Sequence, residues 1–133
     1  MKWDGWRGNL EGRPSFWFRD LFERWGLRAT IHKFVGADDP GCYHTHPAYA
    51  VRVILWGGYT EEMPDGSQKR WQAGMVGIVA PELAHRIAAL HNDATYTLWL
   101  RAPKRTKIRL VGPGWPPHLA TPLEAVRDPR PRS

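Results

Sequence analysis

The chain has 133 residues and a mass of 15.3 kDa, with 42% hydrophobic and 12% aromatic residues. That suits one domain around one packed core and excludes a chain too polar to fold. The 8 Trp, 13 Gly and 12 Pro favour short strands and turns over helices, and the single cysteine, Cys42, excludes an internal disulfide framework or a multi-cysteine zinc module. The net charge of +6 is local: residues 1–100 carry 11 basic and 11 acidic side chains, residues 101–133 carry 8 and 2. This excess reads as a solvated strand edge and a frayed tail, with a phosphate-binding patch as the alternative. No recognition helix, zinc finger or RNA-binding aromatic signature is present, so no sequence-specific nucleic-acid readout is expected. No run of 18 apolar residues calls for a membrane helix, and the N-terminal residues lack the apolar stretch of a secretory signal, so a cytoplasmic location is expected.

Residues 1–14 hold three glycines and a proline and read as an irregular arm. In SFWFRDLFERW, Ser15 suits a helix cap. Phe18, Leu21, Phe22 and Trp25 recur at helical spacing, and Gly26 follows as a stop. The expectation is a short amphipathic helix whose aromatic face covers the sheet or meets a second copy of the chain in a homodimer. From Leu27 the period becomes two. LRATIHKFV reads as a strand with Leu27, Ala29, Ile31, Lys33 and Val35 on one face and the more polar Arg28, Thr30, His32 and Phe34 on the other. GADDPG is a turn cluster, and residues 49–63 read as a strand broken by Gly57–Gly58. PDGSQ is a hairpin turn, and KRWQA leads into strand segments in GMVGIVAP, ended by Pro81, HRIAAL, TYTLWLRA and TKIRLV. The rest is Pro-rich and reads as a surface-wrapping tail. Short strands at spacings of roughly 8–12 residues predict an all-β sandwich or barrel.

Of six histidines, the pair His44 and His46 carries the most information. On a strand, residues i and i+2 point to the same side, so two imidazoles can converge on one point. A third ligand has to come from another strand, and His85, after Pro81 in a Gly-rich meander, is the best placed.

This pattern resembles the cupin superfamily, whose first motif is G-x5-H-x-H-x3,4-E-x6-G and whose second is G-x5-P-x-G-x2-H-x3-N. His44 and His46 fill the first histidine pair, and Gly57 closes that motif at the right interval. Gly74 opens the second motif and His85 takes its histidine position. The departures are Asp38 for the opening Gly, Ala50 for the Glu, Pro81 one residue late, Glu82 for the second Gly and Ala89 for the Asn. The resemblance covers roughly residues 27–112. It implies a double-stranded β-helix, a jelly-roll barrel, over residues 27–112, preceded by the arm and helix (1–26) and followed by the basic tail (113–133).

The resemblance also implies one divalent transition metal held by His44, His46 and His85. Fe is the first expectation, with Mn, Ni or Zn as others, since imidazole suits several of these ions. With Ala50 in place of Glu the ligand set is all histidine, similar to that of the thiol dioxygenases within the superfamily. The implied activity is oxygenase-like, on a small anionic molecule. The alternatives are a metal-independent sugar epimerase or isomerase and a non-catalytic sensor.

Parity extends the site. If Ala50 faces inward, so do Arg52 and Ile54, and Arg52 becomes the candidate catalytic group that pairs with an anionic substrate. Glu61 and Glu62 are expected as exposed edge-strand charges, with a general base as the other reading. Cys42 reads as a small buried hydrophobe, Trp71 and Trp99 as packing between sheets, and His91 and His118 as outside the site.

Overall fold

In a computed structural model, residues 2–119 are described; the expectation for residues 120–133 of the tail lies outside them. Eleven strands occur among the described residues: β1 (Gly5–Gly8), β2 (Pro14–Arg24), β3 (Leu27–Phe34), β4 (Tyr43–His44), β5 (Ala50–Trp56), β6 (Gly58–Glu62), β7 (Gln68–Gln72), β8 (Val76–Val79), β9 (Arg86–Leu90), β10 (Thr95–Arg101) and β11 (Leu110–Val111). They form a six-stranded sheet, β1-β2-β3-β10-β5-β8, a three-stranded sheet, β7-β6-β9, and the pair β11-β4. All the pairings are antiparallel.

The expected helix is a strand. Residues 14–24 run along β3 in register from Phe16–Phe34 to Arg24–Leu27. Aromatic residues fit a pleated surface as well as a helix face, and here the ladder offered by β3 outweighs the helical spacing. Ser15 caps nothing: it is buried, and its carbonyl accepts the N–H groups of Val35 and Gly36. Gly26 is no helix stop. Trp25 at φ 53° and Gly26 at φ 80° form a two-residue hairpin with both central residues left-handed, a geometry that matches strand twist. The aromatic set therefore splits. Phe18 is buried, whereas Leu21, Phe22 and Trp25 stand exposed toward the hairpin tip. The arm is not wholly irregular either, because β1 pairs with β2. The last strand is shorter than TKIRLV, at Leu110–Val111.

Alternation gives the six-stranded sheet two faces. Phe16, Phe18, Thr30, His32, Thr97, Trp99 and Arg52 face a cavity, while Ile31, Leu98, Val53 and Val76 form one cross-strand row on the other side. The more polar face of β3 is thus the inner one. On the outer face Val76 and Ile78 are 62% and 75% exposed. Between β5 and β6 the chain leaves one sheet for the other at Gly57, whose φ of 78° few other residues adopt. That crossing brings Arg52 on one sheet opposite Glu61 on the other. Ile54, Tyr59, Trp71 and Ile87 form the buried core beside them.

Candidate metal centre

His44 and His85 face each other across an antiparallel bridge and exchange both backbone hydrogen bonds, at 3.0 and 3.1 Å. Directly opposed residues hold their side chains close together, which explains how a histidine 41 positions later meets the first. Thr45, between His44 and His46, is buried, and the N–H of His46 donates to Pro81 O at 3.3 Å. The three rings lie with centroids 4.8–5.0 Å apart. One nitrogen of each lies within 4.8 Å of the others, in a set that could hold a metal ion. His46 Nε2 and His85 Nε2 are 2.6 Å apart.

Behind His85 lies a carboxylate. Glu61 Oε2 is hydrogen-bonded to His85 Nδ1. The same oxygen pairs with Arg52 Nη1 at 2.7 Å, and Glu61 Oε1 accepts Trp71 Nε1–H at 3.2 Å. Burial disfavours the charge on Glu61, but hydrogen bonds and charge from His85 and Arg52 outweigh it and hold the carboxyl at about 2. An ionised Glu61 accepts a hydrogen bond from His85 Nδ1–H, and that tautomer leaves the His85 Nε2 lone pair free for a metal. The donor set therefore fits a divalent ion bound by neutral imidazoles.

Arg52 is 2% exposed. Its parity is as expected, since Ala50 and Ile54 are buried with it. Its Nη1 also donates to Tyr59 Oη at 3.1 Å, and the guanidinium lies 4.1 Å from the Trp71 ring centroid. Burial works against its charge, and Tyr59 and Glu61 more than restore it. Arg52, expected to pair with an anionic substrate, already has a counter-ion within the protein, Glu61. Glu61, expected on an exposed edge, is 3% exposed. Glu61 shares parity on β6 with Tyr59, and both are buried. Glu62 points the other way, taking Tyr43 Oη–H at 2.7 Å and Arg86 Nε–H at 2.8 Å. Its carboxyl is lowered to about 2 by hydrogen bonds from Tyr43, Gln68 and Arg86.

The triad opens on a cavity of about 190 Å³. Trp99 is part of its wall rather than inter-sheet packing alone, with its ring 4.9 Å from His46 and 6.1 Å from His32. His32 and the β1–β2 residues Arg7, Phe16 and Phe18 also line it, a contribution the sequence had not indicated. The His32 imidazole is pushed down to about 4, first by burial and then by the charges of Arg28 and Arg7, against Asp20. Cys42 is buried with Leu110 and Trp115, as a small hydrophobe. His91 is hydrogen-bonded to Thr60 Oγ1 at 2.9 Å, and His118 is exposed.

No family model matches the sequence, and no curated protein matches it. Solved structures match the fold. A candidate mannose-6-phosphate isomerase from Ralstonia eutropha JMP134 is similar at a TM-score of 0.61 and 22% identity, over 69% of this chain and 88% of that one. An RmlC-like cupin family protein with a double-stranded β-helix fold, from Methanocaldococcus jannaschii, is similar at 0.57 and 14%, over 67% and 81%. Fe(II) HppE is similar at 0.60 and 10%, over 75% of this chain and 56% of that one. At these identities the likeness is one of fold. Antiparallel sheets around a central cavity, three histidines gathered at it and these neighbours together identify the chain as having the cupin fold.

Proposed function

We propose that the protein is a mononuclear metal enzyme of the oxygenase type, acting on a small anionic molecule, with His44, His46 and His85 as its ligands. One observation carries this reading: the His85 ring is fixed by Glu61 at Nδ1 while its Nε2 is directed to the other two histidines. A bound divalent ion would supply Lewis-acid or redox chemistry with open positions for substrate. Iron is our first choice, and the iron form of the HppE neighbour is consistent with it. Glu61 sets the tautomer of His85. Arg52 and Trp71 hold Glu61, so Arg52 acts as a positioning residue as well as a wall of the cavity.

The Glu61–His85 pair also favours a second reading. A carboxylate that orients an imidazole is the arrangement of a general base, as a metal-independent epimerase or isomerase requires. The isomerase-named neighbour is consistent with that chemistry. A sensor role is the non-catalytic alternative.

Elemental analysis of untagged protein purified without added metal tests the first reading. About one transition-metal ion per chain is expected, and His46→Ala should abolish it while leaving the circular dichroism spectrum unchanged. Metal-free protein from several preparations, with no uptake on titration with Fe(II) or Zn(II), would refute it. Oxygen consumption with substrate separates the oxygenase from the sensor, and turnover that survives chelation would select the isomerase.

A further inference from the structure

We propose that the cavity takes a single-ring aromatic carboxylate, its carboxylate at the three-histidine pole and its ring along Trp99. The identity of the pole rests on the metal reading above; the ring site does not. Three observations carry it.

The first is size. A cavity of about 150 Å³ is enough for a benzene, so about 190 Å³ holds one ring and a carboxylate.

The second is the lining. The Trp99 ring centroid lies 4.9 Å from that of His46 and 6.1 Å from that of His32. Phe16 packs edge-on against His32 at 5.0 Å and lies 5.4 Å from Phe34, which meets Tyr59 edge-on at 5.4 Å. Phe16, Phe34, Tyr59 and Trp99 all line the cavity, so much of its wall is aromatic. Aromatic pairs favour offset and edge-to-face contacts at these separations, worth more than their buried area alone.

The third is charge. Arg28 is committed to Asp20 and Arg52 to Glu61, and Arg101 Nη2 reaches Glu23 at 3.2 Å. Three of the four arginines that line the cavity are thus matched by carboxylates before any ion enters. A dication at the triad leaves the site positive, and an anionic head group is what balances it. His32 is neutral near pH 7, and its Nδ1 has no hydrogen-bond partner. One anionic end and one apolar, planar body follow.

The test is calorimetry on the full chain. Zinc is titrated first, alone, to establish the loaded form. Benzoate, cyclohexanecarboxylate, acetate and inorganic phosphate are then titrated into it. Benzoate should bind at least tenfold tighter than acetate or phosphate, and several-fold tighter than cyclohexanecarboxylate. Phe16→Leu and Trp99→Leu should each erase the aromatic preference while zinc affinity stays within twofold. Equal affinity for benzoate and acetate, or no benzoate binding to loaded protein, overturns the proposal. If zinc does not bind, the metal reading fails separately. Benzoate and acetate are then compared on the metal-free chain by tryptophan fluorescence. A retained aromatic preference upholds the ring site, and its absence overturns it.

Discussion

His32 is the residue whose behaviour the sequence concealed. Alternation placed it on the polar face of a strand, which is the usual pattern of a solvated face, yet that face lines the cavity. Its folded pKa of about 4 lies below the ordinary 6.5 because burial, and then Arg28 and Arg7, oppose a further positive charge. Above about pH 6.5 the ring is neutral in folded and unfolded chains alike, and His32 contributes no slope. Between about 6.5 and 4 the unfolded chain gains a proton that the folded chain refuses, so stability falls as pH falls, by on the order of 3 kcal/mol over the full window. Below about 4 both forms are protonated and the contribution levels off. Urea midpoints measured at neutral pH and near pH 4.5 should therefore drop less in His32→Gln than in the wild type. An equal drop in both would show that His32 is not held neutral. Arg52 and Glu61 were both visible in the sequence, but their partnership was not. They lie on different sheets, and no spacing rule links one face to another.

At the scale of elements, β2 and β8 teach opposite lessons. The β8 segment, with its turns, was readable from Gly and Pro. Residues 14–24 carried both a helical and a strand spacing, and the two-residue Trp25–Gly26 turn decided between them by delivering the segment alongside β3. Within β8, Gly77 pairs with Arg52 across the sheet and sits against the six-membered ring of Trp71. A methyl group there would collide with the ring that stacks on the Arg52 guanidinium. Gly77→Ala should therefore destabilise the protein, by roughly 1–3 kcal/mol as overpacking typically does. Chemical denaturation would read this as a lower midpoint at unchanged slope. A neutral or stabilising result would mean that Trp71 has room to move and does not hold Arg52 in place.

On the scale of the whole molecule, the site is assembled from both sheets and from the β11–β4 pair. β4 brings His44, the turn before β9 brings His85, β6 brings Glu61, β5 brings Arg52 and β10 brings Trp99. A ligand held only by this assembly stabilises it by mass action, by about 4 kcal/mol at a thousandfold excess over Kd. The loaded protein should melt several degrees above the chelated one, and His46→Ala should lose the difference. A melting temperature indifferent to added Fe(II), Zn(II) and chelator would contradict the three-histidine site. The outer face of the large sheet, with Val76 and Ile78 exposed, takes no part in this assembly.

The amino-acid sequence by itself determined the β class, most of the turn positions and the three histidines that share one site. These are local or motif-borne properties: period-two alternation, Gly and Pro chemistry, and fixed intervals between ligands. Only the tertiary structure decided that residues 14–24 are a strand, that Glu61 is buried behind His85, and that His32 and β2 wall the cavity. Each of these depends on what lies across a sheet or opposite it. That is set by register and by the Gly57 crossing between sheets, long-range features that no window of sequence contains.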